Sequence, residues 1–266
     1  MKVAVVIPCF NVEAVLGRTL DSVLAQTHTN LDILCVDDGS TDGTTAVLEG
    51  YRDRSGGRIG IHHQANQGAS AARNEGMRRT QGEWLQFLDA DDAIKPGKIT
   101  GQLELIKDNT NATLVIGSYE QVQPNGLLLP VEPLDSAWMG LIKTRLGTTS
   151  ANFWRRDAVE RAGGWTIGLG SSQDYDLLFR MMREGGGVLF DHRIATAVLK
   201  RPVGSISRSE PKANWERYID LRHRMRQHLA ALDAARFSEE IATLDQYIFM
   251  ALRVLAQYDV GEAIGL

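Results

Sequence analysis

Two clusters of aspartates each follow an apolar, strand-like segment of the sequence. The first consists of Asp37, Asp38 and Asp42, and the second consists of Asp89, Asp91 and Asp92. Carboxylates crowded together repel one another unless a cation or hydrogen-bond donors lie between them. Carboxylate and phosphate oxygens suit Mg²⁺ and Mn²⁺, and Mg²⁺ in particular commonly takes only one or two protein carboxylates. The clusters therefore predict a divalent metal ion that bridges a nucleotide diphosphate.

The first cluster also has a purely structural interpretation. Residues 37–42 read Asp-Asp-Gly-Ser-Thr-Asp, and these residue types are favoured in turns and at helix N-caps. The two interpretations are compatible, so both stay open for this cluster.

Strands must end beside both clusters if the clusters are to meet. Residues 1–120 alternate apolar, β-branched segments with helical patterns, which predicts crossover helices and a mainly parallel sheet. The predicted strands cover residues 3–7, 33–36, 59–63, 84–88 and 113–117, and predicted helices cover residues 15–24 and 69–79. Ligands of such sheets bind at the carboxyl ends of the strands, where both clusters fall.

The second half of the chain has a looser pattern. We expect a strand leading into a short helix over residues 152–161, a helix over residues 173–184 and two helices after Pro211. These segments are predicted to form the other wall of the site and a helical tail.

The composition is that of an ordinary globular protein. Of the 266 residues, 43% are apolar and 23% are charged, which excludes the disordered, collagen-like and disulfide-scaffold classes. A net charge of −4 offers no cationic field for nucleic-acid phosphates, so no nucleic-acid partner is expected. Cys9 and Cys35 lie in apolar segments, and no segment reaches the length of a membrane span. We expect a cytoplasmic protein, with peripheral attachment to the inner face of a membrane left open.

With both clusters in view, the chain resembles the family-two inverting nucleotide-sugar glycosyltransferases, which have the GT-A fold. In that fold, a Rossmann-like α/β domain has a mostly parallel central sheet flanked by helices. The resemblance rests on four motifs in the same order and spacing. They are Val6-Ile7-Pro8-Cys9-Phe10-Asn11, Val36-Asp37-Asp38-Gly39-Ser40-Thr41-Asp42, Asn66-Gln67-Gly68-Ala69-Ser70-Ala71-Ala72-Arg73-Asn74 and Phe87-Leu88-Asp89-Ala90-Asp91-Asp92.

The resemblance implies a division of the chain and a reaction. Residues 1–210 would form the GT-A domain, with a nucleotide-sugar-binding half (1–120) and an acceptor-side half (121–210), and residues 211–266 would form a helical C-terminal extension. The enzyme would move a sugar from a nucleotide diphosphate sugar, with a UDP-sugar expected, to an acceptor hydroxyl. The acceptor would be a saccharide or a lipid-linked molecule in cell-surface polysaccharide or glycolipid synthesis.

The resemblance also implies a nucleobase pocket. Pro8 and Phe10 would line it, Asn11 would lie nearby, and Asp37 would accept a hydrogen bond from a ring N–H of the base, commonly uracil. Phe10 replaces the tyrosine often found there, which loses a hydroxyl but keeps the stacking surface.

The remaining donor contacts are implied in the same way. Arg73 would lie close to the base or the phosphates, and Asp89 would contact the ribose or the donor sugar. Asp91 would coordinate the Mn²⁺ or Mg²⁺ that bridges the diphosphate and stabilises the leaving group. The acceptor oxygen would attack the anomeric carbon from the opposite side, in a single displacement that inverts its configuration.

A later segment resembles the family motif Glu-Asp-x-Asp-Leu, whose first aspartate is the general base. It reads Gln173-Asp174-Tyr175-Asp176-Leu177. Asp174 would therefore remove the proton from the acceptor hydroxyl. Gln173 departs from the usual glutamate and removes one negative charge beside the base. The alternative role for Asp174 is the N-cap of the predicted helix.

Residues 200–208 resemble a late loop of the family that closes over the diphosphate. Arg201 would clamp a phosphate there, because a guanidinium matches phosphate oxygens in a fork. The loop contains no histidine, which puts a third protein ligand to the metal in doubt. An exposed basic loop is the alternative interpretation.

The tail carries two apolar stripes at helical spacing, and arginines surround the first. The stripes are Trp215, Tyr218, Leu221, Met225, Leu229 and Leu232, followed by Ile241, Leu244, Ile248, Leu252 and Leu255. A basic amphipathic helix can lie on a membrane surface, which would suit a lipid-linked acceptor. Packing on the domain or on a second subunit is the alternative, and amphipathic helices favour it in general.

Two other classes of protein share some of these features. A nucleotidyltransferase normally has an early glycine-rich loop with a lysine, and residues 8–11 contain neither. A non-catalytic nucleotide-sugar-binding module would not need both Asp91 and Asp174.

Overall fold

The structure, a computed structural model, describes residues 1–200 and 210–258. Its strands are β1 (Val3–Cys9), β2 (Leu31–Asp37), β3 (Ile59–His63), β4 (Trp84–Phe87), β5 (Ala93–Ile94), β6 (Ala112–Val122), β7 (Leu128–Val131), β8 (Phe153–Arg155) and β9 (Gly187–Leu199). Its helices are α1 (Leu16–Leu24), α2 (Thr44–Arg54), α3 (Ala69–Arg79), α4 (Lys98–Lys107), α5 (Ala137–Ile142), α6 (Arg156–Arg161), α7 (Gln173–Arg183), α8 (Pro211–Asp233) and α9 (Ser238–Leu255).

The strands form one mixed sheet in the order β3-β2-β1-β4-β8-β6-β9-β5, with β7 paired to β6. The first four strands in this order run parallel to one another. β8 then lies antiparallel between β4 and β6, and β9 runs parallel to β6. The α/β class and the mainly parallel first half predicted from the sequence are confirmed.

The buried strand β1 shows why the sheet has helices on both faces. Its side chains alternate between two apolar cores, with Val3, Val5 and Ile7 in one and Ala4 and Val6 in the other. Successive residues of a strand point to opposite faces, so a continuous apolar segment requires cover on both sides. This burial holds the ends of the parallel strands, and the loops that follow them, in fixed positions.

The second half of the sheet differs from the expectation in length and direction. The strand predicted over residues 113–117 extends to Val122, because β9 and β7 pair with it as far as that residue. The short strand predicted within residues 152–161 is β8, which crosses the middle of the sheet in the opposite direction to β4. Its two pairs with β4 and two with β6 join the halves of the sheet.

The two C-terminal helices pack against the domain. The buried residues of α8 are Ile219, Leu221, Arg222, Met225 and Leu229. Three of the six residues in the apolar stripe predicted from the sequence, Leu221, Met225 and Leu229, are therefore buried by protein contacts, whereas Leu232 is exposed. Across residues 1–200 and 210–258, no helix combines the length and the apolarity needed to cross a bilayer.

Candidate active site

The ends of β1, β2 and β4 bring the sequence motifs to one edge of the sheet. Cys9 lies opposite Asp37 in the parallel register of β1 and β2, so the loops after both strands leave the sheet together. β4 ends at Phe87, directly before the second acidic cluster. This edge is where open α/β sheets bind ligands.

Asp37 is buried and held by three hydrogen bonds. Its carboxylate accepts the backbone N–H of Ser40 at 3.1 Å and the hydroxyl of Thr45 at 2.7 Å, and Nδ1 of His63 lies 3.1 Å away. Burial acts to raise the pKa of Asp37, but the hydrogen bonds from Ser40, Thr45 and His63 outweigh it and lower the pKa below its ordinary value. Asp37 is thus a fixed, ionised acceptor at the end of β2.

Pro8, Phe10 and Asn11 lie at the end of β1, beside this carboxylate. Phe10 is 47% exposed, so part of its side chain is accessible to a ligand. Asn11 adopts a left-handed backbone conformation, and its side-chain oxygen accepts the backbone N–H of Thr41 at 2.8 Å. That hydrogen bond fixes the loop after β1 relative to the loop after β2, so Asn11 has a structural role.

The aspartate next to Asp37 anchors the following helix instead. The carboxylate of Asp38 accepts the side-chain amide of Gln64 and the backbone N–H groups of Gln67 and Gly68, at 2.7, 2.9 and 2.8 Å. α3 begins at the next residue. The turn interpretation of this cluster therefore applies to Asp38, whereas Asp42 accepts the backbone N–H of Thr44 at the start of α2.

Arg73 of α3 joins the two halves of the site. Its guanidinium donates to the carboxylate of Asp89 at 2.7 Å and to the side-chain oxygen of Gln173 at 3.1 Å. The guanidinium carbon also lies 4.5 Å from the ring centre of Trp165, and Asn74 holds the backbone of Trp165 through two bonds of 2.8 Å. Gln173, which replaces the expected glutamate, thus leaves Arg73 with a single carboxylate among these partners.

The second acidic cluster is crowded and partly buried. Asp92 is buried and accepts the backbone N–H of Leu199 at 3.2 Å. Burial raises the pKa of Asp92 well above its ordinary value, and the charges of Asp89 and Asp91 raise it further. The hydroxyl of Ser150 accepts the backbone N–H of Asp89 at 3.1 Å and so fixes the start of the cluster.

The cluster does not form a metal-binding cage of protein atoms alone. Within the part of the chain that the structure describes, no three His, Cys, Asp or Glu side chains converge to hold a metal ion. The carboxylate oxygens of the cluster suit a hard divalent cation that takes one or two protein ligands and completes its coordination with phosphate and water. The residues present therefore fit a metal held together with a diphosphate.

Asp174 lies beside a small cavity, at the start of α7. The cavity has a volume of about 180 Å³, and Arg73, Gln173, Asp174, Thr149 and residues 170–172 contribute to its lining. α7 begins at Gln173, and the Asp174 carboxylate accepts the backbone N–H of its neighbour Tyr175 at 3.0 Å. The helix N-cap position belongs to Ser172, so the alternative role of Asp174 as an N-cap is wrong.

The surroundings of Asp174 favour its protonated form. Burial raises the pKa of Asp174 above its ordinary value, and the charge of Asp89 adds to this. The hydrogen bond from the backbone of Tyr175 and the positive charge of Arg73 act in the opposite direction. A carboxylate whose pKa is raised is a stronger base than an ordinary aspartate, which general-base chemistry requires.

The structure thus brings together the predicted residues Pro8, Phe10, Asn11, Asp37, Arg73, Asp89, Asp91 and Asp174 at one edge of the sheet. Arg201 lies outside the described residues. Sequence reasoning missed two supporting residues, Ser150 and Trp165. Ser150 belongs to none of the motifs, and Trp165 lies beyond the short helix that the sequence predicts to end at residue 161.

Comparison with known sequences identifies the family. Residues 4–157, more than half of the chain, match the model of Glycosyl transferase family 2. An uncharacterized glycosyltransferase of Haemophilus influenzae is 30% identical over 186 residues, covering 68% of this chain and 62% of its own length. The putative teichuronic acid biosynthesis glycosyltransferase TuaG of Bacillus subtilis is 36% identical over 110 residues, covering 41% of this chain and 44% of its own length. The chain thus spans less than two thirds of these relatives.

Solved structures show the same fold. TarS residues 1–349 of S. aureus, in complex with UDP-GlcNAc, superposes with a TM-score of 0.71 at 20% identity, over 90% of this chain and 73% of TarS 1–349. The mannosyltransferase PcManGT of Pyrobaculum calidifontis, in complex with GDP-Man and Mn²⁺, has a TM-score of 0.60 at 16% identity, over 96% of this chain and 75% of its own. The predicted GT-A fold is confirmed, and the chain belongs to glycosyl transferase family 2.

Proposed function

We propose that this protein transfers a sugar from a nucleotide diphosphate sugar to an acceptor hydroxyl, with inversion at the anomeric carbon. The observation that carries the proposal is the position of Arg73. Its guanidinium binds Asp89 on the donor side and Gln173 on the acceptor side, directly before Asp174. A donor phosphate and a general base would thus lie on either side of one fixed cation.

The donor proposed is a UDP-sugar. The support is an ionised carboxylate, Asp37, at the end of β2, together with the exposed side chain of Phe10 after the neighbouring strand β1. An acceptor-only carboxylate selects a base that offers a ring N–H, and an exposed aromatic face provides a stacking surface. TarS was solved with UDP-GlcNAc and PcManGT with GDP-Man, and the donor panel below distinguishes the two bases.

A divalent cation, Mn²⁺ or Mg²⁺, is proposed as the cofactor, with Asp91 as its protein ligand. When bound, such an ion neutralises the charge that builds on the departing diphosphate. PcManGT was solved with Mn²⁺. Asp91 is proposed as the ligand because it stands in the acidic motif after β4, at the position where the resemblance implies the metal ligand.

Asp174 is proposed as the general base. A hydroxyl is a poor nucleophile, and a carboxylate within hydrogen-bond reach removes its proton as the attack proceeds. The cavity beside Asp174 has room for a hydroxyl-bearing group. The single displacement needs no second carboxylate, because the proton moves to Asp174 and the diphosphate leaves from the opposite side of the sugar.

The acceptor proposed is a saccharide or a lipid-linked saccharide of a cell-surface polymer. The name of TuaG, a relative assigned to teichuronic acid biosynthesis, supports this class. Peripheral contact with a membrane stays a prediction. Because Leu221, Met225 and Leu229 of the α8 stripe are buried, such a contact would use other apolar side chains, such as the exposed Phe249 and Met250 of α9.

Release of nucleotide from a donor panel tests the proposal. The wild-type protein is incubated with UDP-, GDP- and dTDP-sugars, with Mn²⁺, with Mg²⁺ or with chelator. We expect release from one UDP-sugar, loss of release with chelator and in Asp91→Asn, and loss of transfer to acceptor in Asp174→Asn. The exposed Asp108→Asn is the matched control and should behave as wild type. If no donor yields nucleotide, and Asp91→Asn binds nucleotide as wild type does, the transferase and metal assignments are both withdrawn.

A further inference from the structure

The C-terminal extension contacts α7, the helix that carries Asp174, and both segments follow the residues that match the family model. Arg224 of α8 donates to the carboxylate of Asp176 at 3.1 Å. Asp176 follows Asp174 by two residues on α7 and has a side chain only 6% exposed. It also accepts hydrogen bonds from Thr166 and Arg180, so Arg224 completes the set of partners of a buried carboxylate.

A second arginine of the same helix contacts the loop on the other side of Asp174. A side-chain carbon added to Gly170 would lie 2.9 Å from the guanidinium of Arg217, so the guanidinium lies directly against this glycine. Gly170 lines the cavity beside Asp174. Glu210 and Asn214 hold Arg217 in place, at 2.9 and 3.0 Å.

The two arginines are two helical turns apart, so they lie on the same face of α8. Gly170 precedes the first turn of α7, and Asp176 lies in that turn together with Asp174. The first turn of a helix lacks the full set of intrahelical hydrogen bonds and is the part that frays most easily. A contact on the loop before that turn and a contact within it oppose its movement.

Resting on the proposed function, we propose that Arg217 and Arg224 are positioning residues, through which the C-terminal extension holds Asp174 in place for proton transfer. They act through Gly170 and Asp176 rather than by contact with the substrate. α8 itself is fixed to the domain by Arg222, which is buried and donates to the backbone oxygen of Ile142 at 2.8 Å. The extension is thereby part of the support of the active site.

Hydrogen–deuterium exchange of the ligand-free full chain tests the mechanical part of this proposal. The variants are Arg224→Ala, Arg217→Ala and Arg226→Ala. Arg226 is the matched control, because it pairs with Asp245 between α8 and α9 and is as exposed as Arg224. We expect amide exchange at the start of α7 to rise by about fivefold in Arg224→Ala and Arg217→Ala, and to stay unchanged in Arg226→Ala, as expected of local opening.

Steady-state kinetics with the donor found in the panel test the catalytic part. In Arg224→Ala we expect kcat for transfer to fall about tenfold with little change in the KM for donor, because the reacting groups are misplaced rather than lost. Arg224→Lys keeps a positive charge and should recover much of kcat. If Arg224→Ala does not fold, hydrogen–deuterium exchange and steady-state kinetics are both measured on Arg217→Ala.

The outcomes distinguish this proposal from the function on which it rests. If exchange at the start of α7 and kcat in both arginine variants match those of Arg226→Ala, the positioning proposal is overturned. If exchange rises but Asp174→Asn keeps full transfer activity, then Asp174 is not the base, and the extension supports α7 without positioning a catalytic group.

Discussion

The guanidinium of Arg73 donates a hydrogen bond of 2.7 Å to the carboxylate of Asp89. The side chain of Arg73 is 8% exposed and that of Asp89 is 37% exposed, so the pair extends from the interior of the protein to the mouth of the site. Because the same guanidinium binds Gln173, one side chain connects α3, the end of β4 and the start of α7.

The first prediction concerns this arginine. Lysine has one charged nitrogen in place of a fork and cannot reproduce the bonds to Asp89 and Gln173 together with the contact on Trp165. We expect Arg73→Lys to lower kcat/KM by at least about tenfold and the free energy of unfolding by about 1 kcal/mol, a modest value because Asp89 is partly exposed. Enzyme kinetics and urea unfolding measure both. Arg78→Lys, at an exposed position of the same helix, is the control, and equal behaviour of the two variants would refute the prediction.

The second prediction distinguishes the role of Asp37 in nucleotide binding from the role of its neighbour Asp38 in stability. Asp38 accepts two backbone N–H groups, and the amide of an asparagine would place donor against donor at one of its oxygens. We expect Asp38→Asn to lower the free energy of unfolding by about 1–3 kcal/mol. Asp37→Asn should keep most of this stability, because Thr45 can rotate its hydroxyl to suit the amide. It should instead weaken UDP binding, which calorimetry measures. A larger loss of stability in Asp37→Asn than in Asp38→Asn would contradict this assignment.

The third prediction uses Gln173 to test the general base by pH. Burial raises the pKa of Asp174, and transfer should fall as pH drops through that raised pKa, because the base becomes protonated. Gln173→Glu places a further carboxylate beside Asp174, and like charges raise a pKa. We expect the acid limb of the kcat/KM profile to move to higher pH. If the acid limb of the kcat/KM profile is unchanged in Gln173→Glu while nucleotide binding is retained, a group other than Asp174 produces that limb.

The fourth prediction is that the carboxylate of Asp174 lowers the free energy of unfolding at neutral pH. Because the pKa of Asp174 is higher in the folded than in the unfolded state, the folded state holds its proton more tightly. The stabilising contribution of Asp174 to the free energy of unfolding is therefore fully present below its pKa in the unfolded state, near 3.9. This contribution is lost as pH rises through its pKa in the folded state. We expect Asp174→Asn to lose transfer activity and yet to unfold at neutral pH at a urea concentration no lower than wild type. A clear fall in that concentration would show that the carboxylate stabilises the fold.

The fifth prediction concerns Lys98, a buried lysine at the start of α4. Lys98 donates to the side chains of Gln86 and Gln102, and burial lowers its pKa to about 7, although Asp191 acts in the opposite direction. The unfolded chain therefore binds more protons between pH 7 and 10, and stability should rise with pH in that window by up to about 1.4 kcal/mol per unit. In Lys98→Met this slope should be lower.

Urea unfolding at pH 7, 8 and 9 provides the measurement. Lys107→Met, at the exposed end of the same helix, is the control and should keep the wild-type slope. Parallel slopes for wild type and Lys98→Met would show that Lys98 keeps its proton throughout this range.

Much of the fold could be predicted from the chain's own pattern. Apolar segments of strand length that end in aspartates, alternating with helical periodicity, locate the strands of the parallel half and the edge where Asp37, Asp89 and Asp91 gather. These features depend on neighbours in the sequence, because burial of a strand on both faces requires a continuous apolar segment. The start of α7 at Gln173, with Asp174 in its first turn, belongs to the same category.

Only the tertiary structure decided which of these residues meet. The antiparallel entry of β8 between β4 and β6, the bonds of Arg73 to Asp89 and Gln173, and the contact of Arg224 with Asp176 all join segments distant in sequence. The arginines of α8 suggested a membrane-facing surface in the sequence, yet Arg222 is buried and Arg224 binds α7. Sequence periodicity reports which face of a helix is apolar, whereas the partner that covers this face is set by the packing of the whole chain.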